Sequence, residues 1–225
     1  MNDEQIAVKS LRLKDWVEFR CQRCGQCCRH IKESVMVESL DAYRIAKYLR
    51  NQGQAIQTLS DIYARYTESV PIVEDYPIFL LNTTGPDDAC VFLEDGRCSI
   101  YPARPRVCRM YPFSVGPGTR GRDFEWLQCM EKPFHFTGGK VLVKDWFYQN
   151  LTREDREYVK REFESSLELG KLVRKLDDHA RERALIAILF LRYDNFDLDE
   201  PFLPQYDRNL QTLKARLSAL AESRP

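Results

Sequence analysis

Cys21-Gln22-Arg23-Cys24-Gly25-Gln26-Cys27-Cys28 is the stretch on which the reading of this chain turns, because four of its eight cysteines fall within those eight residues. A C-x₂-C step folds two thiols inward around a tight turn, so both can reach one metal ion or one edge of a cluster. Gly25, directly after Cys24, suits a backbone that must turn with its N–H groups facing sulfur. Cys21, Cys24 and Cys27 repeat the spacing of the first three ligands in bacterial ferredoxin-type [4Fe–4S] sites. There the fourth cysteine stands three residues further on and before a proline; here Cys28 is immediate. Neighbouring side chains point in different directions, so Cys27 and Cys28 are expected to serve different metals.

Outward from this stretch lie four more cysteines at wider spacing: Cys90, Cys98, Cys108 and Cys129. Four plus four makes two complete four-thiolate sites, and both Zn²⁺ and [4Fe–4S] accept four cysteines. All eight are therefore candidate metal ligands, and spacing does not choose between zinc and iron–sulfur. Disulfides fit poorly with a chain expected to be cytoplasmic. A thioredoxin-like C-x-x-C needs a βαβ frame, and the residues before Cys21 read as helix or loop. The C-x₃-C-x₂-C triplet of radical S-adenosylmethionine enzymes is missing: Cys24 and Cys28 have the first spacing, but residue 31 is Ile.

The chain has 225 residues, 44% hydrophobic and 30% charged, which excludes wholesale disorder and allows one large domain or a domain with a helical extension. Lys+Arg and Asp+Glu are 34 each, so no excess positive charge marks a nucleic-acid binder. Residues 1–10 are polar, without the apolar run of a signal peptide, and the most apolar stretch, Ala184–Leu191, is too short to span a bilayer. These features predict a cytoplasmic protein without a membrane or nucleic-acid partner; its redox or protein partner is not named by the sequence. The neutral total hides an asymmetry. No acid lies between Glu18 and Glu33, where Arg20, Arg23, Arg29 and Lys32 stand. None lies between Asp95 and Asp123 either, where Arg97, Arg104, Arg106, Arg109, Arg120 and Arg122 stand. Both stretches coincide with cysteines. Guanidinium groups that neutralise a negative metal–thiolate centre and donate hydrogen bonds to sulfur explain this better than recognition of an anionic substrate.

The rest of the pattern predicts an α+β protein, predominantly helical. Residues 1–150 read as a loop-rich, metal-organised domain with short strands, and 151–225 as a helical extension packed on it. Leu11–Phe19 is amphipathic, and Ile31–Val37 alternates like a short strand. Ser39 looks like the N-cap of a helix that stops at Gly53; a second helix covers Ala55–Tyr66. Ile78–Leu81, Cys90–Leu93 and Phe124–Cys129 read as strands. Pro and Gly crowd residues 96–121 as loop chemistry. Thr152 with Asp155 opens a long helix to about Asp178, followed by helices over Ala180–Tyr193 and Tyr206–Leu220. Gly116-Pro117-Gly118-Thr119-Arg120-Gly121 matches G-x-G-x-x-G literally but sits before a strand, so it reads as a hairpin loop, not a nucleotide site. His30, His135 and His179 look isolated.

Cys21-x-x-Cys24-x-x-Cys27-Cys28 followed by Cys98-Ser-Ile-Tyr101-Pro-Ala-Arg104-Pro105-Arg-Val-Cys108-Arg109-Met-Tyr111-Pro112-Phe113 resembles the YkgJ-like cysteine-cluster proteins, the CxxCxxCC or zinc- or iron-chelating family, over about residues 16–130. The resemblance implies iron–sulfur or zinc bound by Cys21, Cys24, Cys27, Cys28, Cys98 and Cys108, with Cys90 and Cys129 fitting by order. Relatives carry C-P-G after the last cysteine, whereas Met130-Glu131 follows Cys129. The resemblance leaves the activity open. A [4Fe–4S] protein for electron transfer or cluster-dependent chemistry, a lysine N-methylase-like enzyme using the cluster with S-adenosylmethionine, and a zinc-stapled interaction module are the three readings. Arg104 and Arg109, flanking Cys108, are the expected cofactor-binding donors. Tyr101, Tyr111 and Phe113 are the expected shield against water.

Overall fold

A computed structural model describes residues 8–71, 77–117 and 124–222. In chain order, β1 (Val8–Leu11) and β2 (Trp16–Glu18) precede the cysteine loop, which contains a 3₁₀ turn at Gln26–Cys28. α1 (Ser39–Asn51) and α2 (Leu59–Tyr66) follow. Three short antiparallel pairs come next: β3 (Thr67–Pro71) with β4 (Pro77–Leu81), β5 (Thr83–Thr84) with β6 (Ala89–Cys90), and β7 (Leu93–Glu94) with β8 (Arg97–Cys98). α3 (Arg106–Met110), β9 (Phe113–Pro117), β10 (Phe124–Cys129) and β11 (Lys140–Leu142) lead to α4 (Val143–Asn150). α5 (Arg153–Val173), α6 (Asp178–Ile188) and α7 (Phe202–Glu222) complete the chain, α6 running on as a π-helical turn over Leu189–Asp194. The class is α+β, about half helical, with short strands before residue 143 and long helices after residue 152.

The helix boundaries follow their caps. Glu38, not Ser39, caps α1, in a reciprocal box with Asp41. α2 starts at Leu59, later than Ala55, because the Thr58–Asp61 box sets its first turn. α5 begins where Thr152 accepts from the Asp155 N–H, as the sequence pattern predicts. α7 begins four residues before Tyr206 and takes Pro204 into its first turn, where a missing N–H costs no hydrogen bond.

Elsewhere long-range pairing overrides local pattern. Leu11–Phe19 supplies no helix. β1 lies beside β10 in a three-stranded antiparallel sheet ordered β1-β10-β9, with Val8 opposite Cys129 and Phe113 opposite Gln128. β2 pairs with β11. Ile31–Val37 forms no strand; Met36 alone makes a bridge, to Leu80. The crowded Pro/Gly stretch contains a helix, α3, and a strand, β9, that its composition does not announce. β9 and β10 are antiparallel neighbours, as a hairpin requires, while Gly118 and Gly121 lie outside the described residues.

Two apolar clusters flank the cysteine region. The larger joins α1 and α2 to α5, α6 and α7, with Leu40, Ile45, Leu59, Ile62, Leu169, Phe202, Leu213 and Leu217 nearly or wholly buried. It also takes in Ile31, Leu81, Cys90, Phe92 and Ile100. The smaller is built from Leu11, Val17, Met110, Phe113, Val143 and Phe147. No described helix is long and apolar enough to cross a membrane.

Candidate metal centre

The cysteine loop has an unusual backbone. Arg23, Gly25, His30 and Glu33 all have left-handed φ angles, of 53°, 70°, 55° and 57°. Non-glycine residues in that region are strained, and such strain collects where surrounding structure over-determines the chain. Here the surroundings are visible. At Gly25 a Cβ would come within 2.5 Å of the Gly96 carbonyl oxygen, so the loop can lie against the β7–β8 turn only with glycine there. His30 N donates to Asp87 O at 2.7 Å and Ile31 N to Asp88 O at 3.1 Å, while the Arg29 guanidinium pairs with Asp87. Lys132 clamps the same loop from the far side, donating to the carbonyls of Gln26 and Arg29.

The other cysteines arrive on short, anchored elements. Cys90 ends β6 opposite Thr83, Cys98 ends β8 opposite Leu93, and Cys129 ends β10. Cys108 sits in α3, a five-residue helix too short to stand alone. Tertiary groups hold it. The buried Asp41 accepts from Arg106 N at 2.8 Å, and Glu38 accepts from the Arg106 guanidinium. The Arg109 guanidinium donates to both oxygens of the fully buried Asp155, at 2.6 and 2.8 Å, and to the Asn150 carbonyl. Arg44 reaches Asp155 as well, so α1, α3 and α5 meet on one carboxylate. These contacts hold the Asp155 carboxyl well below the usual range: burial opposes ionisation, but Arg109, Arg44 and Thr152 more than offset it.

All eight cysteines line one cavity of about 920 Å³ between the two apolar clusters. All are free thiols: Cys21, Cys24 and Cys27 exposed, Cys90 buried, the rest half-buried. Cys27 Sγ and Cys28 Sγ are 4.0 Å apart, so the two adjacent side chains converge instead of diverging. Among the described residues, no group of three His, Cys, Asp or Glu side chains closes to metal-binding distance. The sulfurs thus share a chamber without being drawn into finished tetrahedra.

The electrostatics of the chamber favour protonated thiols at Cys28, Cys90 and Cys108. Burial, with neighbouring cysteines adding to it, pushes the Cys90 thiol up to about 11 and the Cys108 thiol well above its usual value. Hydrogen bonding to Cys27, then burial, pushes Cys28 up, while the same hydrogen bond brings Cys27 down to about 7. Several thiolates this close disfavour one another, and a bound cation reverses that balance.

The arginines divide into two groups. Arg29, Arg106 and Arg109 are paired with acids. Arg104 lies over the Tyr101 ring at 3.9 Å, with Arg23 at 4.6 Å from the same ring, and the buried Nε of Arg104 has no hydrogen-bond partner among the described residues. Arg104 and Arg109 both line the cavity, as do Tyr101, Tyr111 and Phe113. Arg120 and Arg122 lie outside the described residues.

Two residues of the site give no local sign in the sequence: Lys132, already described, and His135. The His135 Nε2 lies 3.6 Å from Cys24 Sγ, and its Nδ1 shares a 2.7 Å hydrogen bond with the Tyr111 hydroxyl. Burial, then the Lys132 cation, disfavours a charged ring and moves the imidazole below its usual value. His135 reaches Cys24 across 111 residues, a distance no spacing motif can register.

Eight thiols on five separate elements facing one basic chamber define a cysteine-cluster protein. Its chain belongs to the CxxCxxCC family, described as "Putative zinc- or iron-chelating domain", whose model matches residues 20–133, just over half the chain. It is also 28% identical over 176 residues to the "Uncharacterized protein MJ0661" of Methanocaldococcus jannaschii, covering 72% of this chain and 87% of that protein. No solved structure matches. The family match includes every cysteine and stops short of α4–α7.

Proposed function

We propose that the chain is an iron–sulfur protein whose eight cysteines hold one or two [4Fe–4S] clusters, for electron transfer or cluster-dependent chemistry. The observation that carries this reading is that all eight thiols line a single cavity of about 920 Å³ beside Arg104, whose buried Nε has no hydrogen-bond partner among the described residues. The donor set fits: thiolates on short, separately anchored elements can surround a cluster, and a cluster so held supplies reversible one-electron chemistry. The chain's own part is to orient and insulate. Lys132 and Gly25 fix the loop of Cys21–Cys28, the Asp41 and Asp155 contacts fix Cys108, and Tyr101, Tyr111 and Phe113 exclude water. Arg104 offers its free Nε–H to the bound group. In this reading residues 1–150 form the metal-binding domain and 151–225 the helical extension that braces it.

A second reading, paired zinc staples on an interaction module, has one observation in its favour. Two thiolates on a tetrahedral Zn²⁺ stand roughly 3.8 Å apart, given Zn–S bonds of about 2.3 Å; Cys27 Sγ and Cys28 Sγ are 4.0 Å apart. A lysine N-methylase-like activity using S-adenosylmethionine rests on family analogy, and binding of that cofactor to the metal-loaded protein is its test.

The optical spectrum separates the first two readings. Anaerobically purified protein is expected to be brown, with visible absorption that a reductant bleaches, and Cys24→Ser or Cys108→Ser to lose at least half of it. A colourless metal-loaded protein overturns the iron–sulfur reading. Unchanged metal content in both variants overturns the ligand assignment.

A further inference from the structure

The geometry points to His135 as a metal ligand: its Nε2 shares a metal ion with the Cys24 thiolate. This rests on the chelation reading above with a single cluster: an iron of a [4Fe–4S] cluster takes one protein ligand beside three sulfides, so the ion that Cys24 and His135 share is a separate, mononuclear one. Three observations carry it. Bonds of about 2.3 Å to sulfur and 2.0–2.1 Å to imidazole nitrogen, set at a tetrahedral angle, separate the two donor atoms by roughly 3.6 Å. Cys24 Sγ and His135 Nε2 are 3.6 Å apart. The ring is also turned for the purpose. A histidine ligand normally has its second nitrogen held by a hydrogen bond that fixes tautomer and orientation. The Tyr111 hydroxyl does this at Nδ1 from 2.7 Å, which aims Nε2 at the sulfur.

The third observation is the anchorage of the histidine. His135 ends a 3₁₀ turn, Pro133–His135, and its N–H donates to the Lys132 carbonyl. Lys132 in turn grips the cysteine loop at Gln26 and Arg29, on either side of Cys27 and Cys28. The turn that brings the imidazole to Cys24 is thus fastened to the loop that carries Cys24. Tyr111 stands three residues after Cys108, so the same hydrogen bond ties the imidazole to the second cysteine segment.

The experiment is pulsed electron paramagnetic resonance on the metal-bound full chain, made paramagnetic by loading the site with Co²⁺. Wild-type protein is expected to show nitrogen coupling from a coordinated imidazole. His135→Ala should lose that coupling and His30→Ala should keep it. His135→Gln, which leaves a polar group against Cys24, guards against a folding defect and should also lose it. Tyr111→Phe should keep the coupling while metal affinity falls about 10–100-fold, the usual effect of removing a group that orients a ligand. Metal bound with no imidazole coupling overturns the assignment and leaves the chelation reading standing, as does coupling that survives in both His135 variants. Wild-type protein that binds no metal overturns the chelation reading itself.

Discussion

Asp155 shows how much a single residue can carry here. Its carboxylate is fully buried and answers two guanidinium groups, Arg44 at 2.5 Å and Arg109 at 2.6 Å. Removing one partner of a buried ion pair leaves the other charged and unpaired, which costs about 3–5 kcal/mol. Asp155→Ala is expected to lower unfolding stability by that amount in urea titrations and to reduce bound metal, because Arg109 is next to Cys108. A loss below about 1 kcal/mol would contradict the network. The pH dependence has two limbs. Asp155 is depressed in the folded state, so its contribution is complete above the unfolded value near 4 and is lost as pH falls below it. Asp41 is pushed up to about 7 by burial and then by Glu38. Its contribution is therefore complete below pH ~4 and is lost as pH rises towards 7. Asp41→Asn should flatten the upper limb and Asp155→Asn the lower, measured as denaturation midpoint against pH; unchanged limbs would refute the assignments. At this scale the sequence was most informative for cysteine, because C-x₂-C spacing is a local property. It was silent on the distant residues that position the cysteines. His135 meets Cys24 and Lys132 meets Gln26 only after more than a hundred residues of chain have folded back. Arg109 was legible as a residue near the site, but its bond to a carboxylate on α5 was not.

At the scale of the element, legibility follows how local the deciding interaction is. α5 was readable because Thr152 and Asp155 cap each other three residues apart. β2 was not, because the amphipathic nonapeptide Leu11–Phe19 fits helix or strand and the choice falls to its partner at residues 140–142; β1, mostly before that stretch, is likewise set by its partner at residues 126–129. α3 has five residues and exists because Asp41, Glu38 and Asp155 hold it. The cysteine loop is the element most exposed to a single change. Gly25→Ala places a methyl group 2.5 Å from the Gly96 carbonyl and 2.9 Å from Leu93 Cδ1, at φ 70°. The left-handed backbone alone costs about 1–2 kcal/mol in a residue with a Cβ, and the clash with backbone adds to it. Gly25→Ala is thus expected to lower the melting temperature and at least halve metal occupancy. Gly53→Ala is the control: its Cβ meets nothing within 4 Å, so it carries only the backbone cost. Equal metal occupancy in the two variants would contradict the docking of the loop on the β7–β8 turn.

The whole molecule sets the cysteine cavity between two apolar clusters of unequal size. The larger cluster joins α1 and α2 to α5–α7 and needs no sulfur for most of its contacts; the smaller packs β1, β2, α3 and α4 beside the cavity. Metal removal should therefore act unevenly. A chelator is expected to lower the melting temperature and to speed hydrogen exchange in residues 20–35 and 86–110, while most of the far-ultraviolet helical signal persists. Collapse of the whole helical signal would show that the larger core depends on metal. The central claim concerns what fills the cavity, and one measurement tests it directly: iron, zinc and acid-labile sulfide per chain in protein purified without oxygen. Iron and sulfide in equal amounts, about four or eight of each per chain for one or two clusters, are the expected result. Zinc without iron or sulfide would contradict it.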